Sequence, residues 1–243
     1  MTTDPVFHLD PIPSQGEALL DGPEGHHAAR VRRMRTGERL TLTDGQGRSA
    51  PATVLVVERA ALRLRVESSQ ADPPPKLRFV AVQALAKGDR GERAVELLTE
   101  LGVDEIVPWA AQHCVVKWDD KAAKARDRWA STAQEAAKQS RRTWWPRVAP
   151  LANTSEVAER IAEATTALVL HESAENRLAE LIVPAAGEIL VVVGPEGGIT
   201  DDELGRLAAS GAITVRLGDE VLRTSTAGAA ALAAISTRTR WLR

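Results

Sequence analysis

Two glycine-containing loops near the C-terminus carry the residue types from which a small-molecule site is built. The first, Gly194-Pro195-Glu196-Gly197-Gly198-Ile199-Thr200, directly follows the apolar run Glu188 to Val193. The second, Leu217-Gly218-Asp219-Glu220-Val221-Leu222-Arg223-Thr224-Ser225-Thr226-Ala227-Gly228, directly follows Ala212 to Arg216. Each leaves the end of an expected buried strand and enters an expected helix, the place where α/β sheets bind ligands. Two such loops suggest one ligand held between two strand ends. Neither reads G-x-G-x-x-G or G-x-x-x-x-G-K-[ST], so the expected ligand is neither a dinucleotide nor a triphosphate. Gly194, Gly197, Gly198 and Gly218 lack Cβ atoms and permit close backbone approach. Leu217, Leu222 and Ile199 can line an apolar slot. No Cys/His spacing suggests a metal.

The elements that must position these loops alternate. Leu77 to Leu85 reads as a strand and Arg90 to Leu101 as an amphipathic helix, with Gly102 where a C-cap glycine belongs. Glu105 to Trp109, Thr166 to Leu170, Glu188 to Val193 and Ala212 to Leu217 read as further strands, separated by helix-length segments. Lys121 to Arg142 is a long helical stretch with an alanine-rich face. Asp201-Asp202-Glu203 after Thr200 suits a capped helix N-terminus. Alternating strand and helix predicts a parallel α/β sheet. Before it, Arg39 to Thr43, the turn Asp44-Gly45-Gln46-Gly47, Ala52 to Val57 and Ala61 to Val66 predict a small β-barrel. Pro73-Pro74-Pro75 makes a stiff linker. The expected division is therefore a β domain over 1–72, a linker over 73–76 and an α/β domain over 77–243.

With Phe at 2 and Tyr at 0, the core must be built from Val, Leu, Ile and Ala. The single Cys114 rules out an internal disulfide and points to a reducing, cytoplasmic compartment. The polar, proline-broken N-terminus is not a signal peptide, and no apolar run reaches the roughly 18 residues of a membrane helix. The net charge of −2 hides an asymmetry. Arg30, Arg32, Arg33, Arg35 and Arg39 face only Glu38 within 26–39, and 113–150 carries nine bases against four acids. Either patch alone reads equally as solvated surface. Together they favour a polyanionic partner.

Five ordered blocks carry a resemblance to a known family. They are His26-His27 with Arg30-Val31, Arg33 and Gly37; Thr99-Glu100-Leu101-Gly102-Val103 with Ile106-Val107-Pro108; and Glu135-Ala136-Ala137-Lys138-Gln139-Ser140 with Arg141-Arg142 and Pro146. The last two are Gly194-Pro195-Glu196-Gly197-Gly198, and Leu217-Gly218 with Leu222-Arg223-Thr224. The chain resembles the RsmE family, SPOUT-superfamily methyltransferases that form 3-methyluridine in 16S ribosomal RNA of the small subunit. The match runs from about residue 5 to residue 240. Two positions depart: Ser225 where the family usually has Glu, and Leu97 where it often has Lys.

The resemblance implies a trefoil-knotted parallel sheet domain preceded by a small PUA-like β-barrel, S-adenosylmethionine as methyl donor, and a homodimer. It implies cofactor contacts at His171, Gly194, Glu196, Gly197, Gly198, Ile199, Leu217, Gly218, Leu222, Thr224, Thr226 and Ala227. Uracil N3 is protonated at neutral pH, so methylation needs a cation for the anion or a base for the proton. Arg223 is the candidate cation. Glu172, at the end of the strand Thr166 to Leu170, is either the base or a helix N-terminal acid. Arg30, Arg32, Arg33, Arg35, Lys138, Arg141, Arg142 and Arg147 are the expected RNA contacts. Trp144 and Trp145 lie among these charges, to stack on bases or to enter the core. A non-catalytic RNA-binding protein that kept the fold is the alternative, and Ser225 is its best support.

Overall fold

The computed structural model describes residues 4–242. It divides into two compact units: one through Pro74 together with Ala137–Trp145, the other Pro75–Ala136 with Pro146–Arg243.

The first unit holds a mixed six-stranded sheet. Its strands are β1 (Val6–His8), β2 (Gly16–Leu20), β3 (Arg39–Thr43), β4 (Arg48–Val57), β5 (Leu62–Val66) and β6 (Gln70–Ala71). They run in the order β1-β3-β4-β5-β2, with β6 on β4. Strand β5 shows the governing pattern: Leu62, Leu64 and Val66 point inward while Arg63 and Arg65 face solvent, as period-two geometry requires. Phe7, Leu40, Leu42 and Val54 complete that core. Helix α1 (Gly22–His26) runs into a π-helical turn over His27–Val31.

Residues 137–145 belong to this unit, although the sequence placed them in the α/β domain. Three contacts tie them there. Cβ atoms added at Gly45 and Gly47 would lie 2.6 and 2.5 Å from the Trp145 and Trp144 rings. Only glycine lets the β3–β4 turn pass under two indoles. Trp144 Nε1 donates to the Asp72 carbonyl (3.1 Å). Lys138 Nζ, itself buried, donates to Glu24 Oε1 at 2.7 Å.

The second unit is a parallel six-stranded sheet in the order β12-β10-β11-β7-β8-β9, as expected from the alternation of elements. Its elements are β7 (Leu77–Ala84), α2 (Arg90–Glu100), β8 (Glu105–Trp109), α3 (Ala122–Gln139) up to Ala136, β9 (Arg147–Val148), α4 (Thr154–Glu163), β10 (Thr166–Leu170), β11 (Gly187–Val193), α5 (Asp201–Ala209), β12 (Ile213–Val215) and α6 (Thr224–Ser236). The near-continuous apolar runs of β7, β8 and β11 reflect burial on both faces of a parallel sheet. Gly102, at a φ of +91°, ends α2. There the Gly102 and Val103 N–H groups donate to the Thr99 and Leu98 carbonyls, a Schellman motif.

Two capping boxes start helices here. Thr200 caps α5 with Glu203, as the sequence predicts. Asn153 caps α4 with Glu156, and the Asn-x-x-Glu spacing was legible though not used. Strand β12 is an edge, yet the chain after it returns to lay α6 against α2, β11 and β7. That return brings the second glycine loop to the first.

Candidate active site

The C-terminal ends of β10 and β11, the start of α2 and the first turn of α6 enclose a cleft of about 470 Å³, within the range of small-molecule sites. It gathers ten residues singled out in the sequence. His171 and Glu172 come from the loop after β10; Gly194, Glu196, Gly198 and Ile199 come from the loop after β11. Leu222, Arg223, Thr224 and Ala227 come from the segment entering α6. Gly197, Leu217, Gly218 and Thr226 are not among its walls.

The glycines have internal reasons. A Cβ on Gly194 would lie 2.7 Å from Ile199 Cγ1, and one on Gly197 would lie 3.0 Å from His113 Cβ. Packing within the loop therefore favours glycine at Gly194, and the neighbouring His113 crowds any side chain at Gly197. Gly198 differs, with a φ of +77° and open space where a side chain would go.

The polar groups fall into occupied and free sets. Thr224 Oγ1 donates to the Gly194 carbonyl (2.7 Å), so this hydroxyl ties α6 to the β11 loop. Ser173 N–H donates to His171 Nδ1 at 3.3 Å, so a neutral His171 carries its proton on Nε2. Arg90, which the sequence reading missed, donates to Glu196 Oε1 (3.0 Å), and so does the Lys87 N–H (3.3 Å). The signal for Arg90 was its place just after strand β7, the same strand-end rule that found the glycine loops. Glu172 and Arg223 are exposed and their side chains make no hydrogen bond or ion pair among the described residues, so this carboxylate and this guanidinium remain free for a ligand. Cys114 is not a nucleophile here: burial pushes its thiol up and leaves it protonated.

Ser225 is buried in the first turn of α6 and is not a wall of the cleft.

The expected RNA contacts scatter. The arginine segment is neither strand nor regular helix: the π-helical turn ends at Val31, and Arg33 adopts a φ of +54°. Arg30 Nε is held by the Arg59 carbonyl at 2.6 Å, while Arg32, Arg33 and Arg35 are exposed. Lys138 is corrected: it is buried on Glu24 and presents no charge to a partner. Arg147 joins Arg78 and Arg160 around the buried Glu105, at the edge where the strands begin, opposite the cleft. Arg141 and Arg142 line a groove of about 270 Å³ beside Thr41 and Ser49 in the first unit. Neither Trp144 nor Trp145 is free to stack on a base, because both pack on the β3–β4 turn.

The sequence model of a family described as an RNA methyltransferase domain matches residues 73–236. One described as an RNA methyltransferase PUA domain matches residues 20–67. Ribosomal RNA small subunit methyltransferase E of Mycobacterium bovis is 45% identical over 97% of this chain and 93% of its own length. The protein of the same name from Bacillus subtilis is 33% identical over 92% and 91%. The chain belongs to the ribosomal RNA small subunit methyltransferase E family. Two solved structures share the whole fold. One is a ribosomal RNA small subunit methyltransferase E from Neisseria gonorrhoeae bound to S-adenosyl methionine, at a TM-score of 0.87 and 29% identity over 98% of each chain. The other is a putative methyltransferase from Legionella pneumophila in complex with the cofactor, at a TM-score of 0.88 and 27% identity over 98% and 99%. The PUA-domain match falls within the first unit, and the methyltransferase-domain match covers most of the second together with residues 137–145 of the first.

Within this family member, the Arg90–Glu196 pair links two walls of the cleft. Burial opposes ionisation of Glu196. Its own backbone N–H, Arg90 and the Lys87 N–H outweigh that and hold the carboxyl below the ordinary glutamate range. With a depressed folded-state value, ionised Glu196 stabilises the fold above the ordinary range, and that contribution is lost as pH falls through the folded value. Arg90→Gln is expected to raise the Glu196 midpoint in a carboxyl NMR titration and to flatten this part of the acid dependence. An unmoved midpoint would assign the effect to the backbone donors alone.

Proposed function

We propose that this protein transfers a methyl group from S-adenosylmethionine to N3 of a uridine in 16S ribosomal RNA. The observation that carries the reading is a cleft at the strand ends lined by both the Arg223 guanidinium and the Glu172 carboxylate, each without a side-chain partner among the described residues. The residues present fit the cofactor. Leu170, Val193, Ile199 and Leu222 offer apolar walls for a purine ring, and the site has no phosphate-binding glycine-lysine loop. S-adenosylmethionine, when bound, supplies an electrophilic methyl group.

This chain's residues supply the rest. Glu172 accepts the N3 proton, and Arg223 stabilises the negative charge that spreads over the uracil ring as N3 is freed. Leu222 and Val221, at the rim, exclude water from the reacting atoms. His171, Gly194, Glu196, Gly198, Ile199, Thr224 and Ala227 form the cofactor side of the cleft. Gly197, Leu217, Gly218 and Thr226 do not line it. The target base must leave its stack to enter. The direct test is incubation with small ribosomal subunits and methyl-labelled S-adenosylmethionine, followed by nucleoside mass spectrometry. Label in 3-methyluridine is expected. Label in another nucleoside would overturn the N3 assignment.

RNA is gripped by the first unit, through Arg32, Arg33 and Arg35 and through Arg141 and Arg142. Each phosphate contact to a single strand contributes about 0.7 to the log–log salt slope. Arg32→Ala with Arg33→Asn, the latter chosen because Asn tolerates the left-handed backbone, is expected to weaken RNA binding and flatten its salt dependence. Cofactor binding is expected to stay intact, since the cleft lies wholly in the second unit. An unaltered salt slope would return these arginines to plain surface.

The substrate places the enzyme in the cytoplasm, and no helix among the described residues is long and apolar enough to cross a membrane. A homodimer is part of the same reading. Helix α6 buries Gly228, Ala231, Leu232 and Ile235 within the chain. The exposed Trp241 and Leu242, just beyond α6, are among the apolar side chains available for such a contact. Light scattering tests it directly.

A further inference from the structure

Gln83 is a buried polar residue in β7, whose other polar side chain, Arg78, is exposed. It is fully buried, its neighbours along the strand are apolar, and it does not line the cleft. A buried carboxamide is costly unless its groups are paired. Gln83 Nε2 donates to Thr224 Oγ1 (3.0 Å), to the Thr224 carbonyl (3.3 Å) and to the Ala84 carbonyl (3.2 Å). Gln83 Oε1 has no partner.

The direction of this chain of hydrogen bonds follows from one atom. The Gly194 carbonyl can only accept, so Thr224 Oγ1 spends its single proton there at 2.7 Å. The hydroxyl can then only accept from Gln83. A flipped amide would set Oε1 against two carbonyls and a hydroxyl with no proton left to give. The orientation is therefore forced, and the orphaned oxygen is its consequence. A leucine at this position would leave no orphan, yet it would also leave Thr224 without its donor.

The relay joins three elements: β7, the loop after β11 and the first turn of α6. Arg223 is the N-cap residue of that helix, directly before Thr224, and no side-chain cap holds it. We propose that Gln83 is a positioning residue for methyl transfer, holding the start of α6 through Thr224 so that Arg223 faces the reacting base. The proposal rests on the reading of Arg223 as the cation that acts on the substrate.

The test is a set of variants assayed for kcat, cofactor Kd and Tm. Gln83→Leu keeps the volume, suits its apolar surroundings and removes the unpaired oxygen, so Tm is expected to hold or rise. Its kcat is expected to fall about fivefold, because small misplacement of a catalytic group is expensive, while cofactor Kd moves within about twofold. Thr224→Val breaks the same relay from the other side and is expected to lower kcat likewise. Thr224→Ser keeps the hydroxyl and is expected to restore kcat. Gln83→Leu added to Arg223→Ala is expected to cause no further loss.

An unchanged kcat in both Gln83→Leu and Thr224→Val overturns the proposal, as does a full multiplicative loss in the double variant with Arg223→Ala. The two failures are distinguishable. Full activity in Arg223→Ala alone defeats the reading of Arg223. Impaired Arg223→Ala beside fully active Gln83→Leu defeats the relay and leaves that reading standing.

Discussion

Arg223→Ala is expected to lower kcat about 100-fold, an increase of roughly 2.7 kcal/mol in the barrier, the scale for losing one charge-stabilising donor. Cofactor affinity is expected to change far less. The Arg223 side chain makes no hydrogen bond or ion pair among the described residues, so its truncation breaks no polar contact inside the protein. It occupies the N-cap position of α6, where arginine supplies no acceptor, so alanine there also removes no cap. Folding is expected to be untouched. The measurement is single-turnover methyl transfer beside calorimetric titration of S-adenosylmethionine. A parallel collapse of cofactor affinity would make Arg223 a cofactor ligand and would move the search for the uracil's cation to Arg90.

Ala227→Leu is expected to weaken S-adenosylmethionine binding by at least about tenfold, or about 1.4 kcal/mol. Ala227 lies in the first turn of α6 as a wall of the cleft. Leucine is a strong helix former, so the added branch is expected to enter the cleft without disturbing the helix. Gly197 and Gly198 are the poorer choices for this experiment. A side chain on Gly197 meets His113, and Gly198 holds a φ of +77°, so either change would mix lost folding with lost binding. Unchanged affinity in an Ala227→Leu protein of unchanged Tm would show that the cofactor does not occupy this cleft.

The sequence alone determined the element order of the second unit. Glu105–Trp109 and Thr166–Leu170 are strands over the ranges their apolar runs predict, and Gly102 and Thr200 bound helices by local backbone chemistry. These features are local: they depend on residues within one turn or one strand, so spacing reveals them. The two glycine loops were legible for the same reason, and the strand-end rule brought them to one place.

Tertiary structure alone decided which side chains face the ligand. Gly197 and Gly218 sit in the right loops, yet the cleft excludes them, because a loop's facing depends on what packs behind it. Arg90 and Gln83 lie more than a hundred residues before the groups they bind, Glu196 and Thr224. Nothing local marks either pairing. The same holds for 137–145. Its lysine, arginines and tryptophans read as an RNA-facing stretch, but Lys138 is neutralised by Glu24 and the indoles are taken by Gly45 and Gly47. Charge and aromaticity are written in the sequence. Whether they meet solvent or a partner within the chain is a long-range property, set only when the two units have folded.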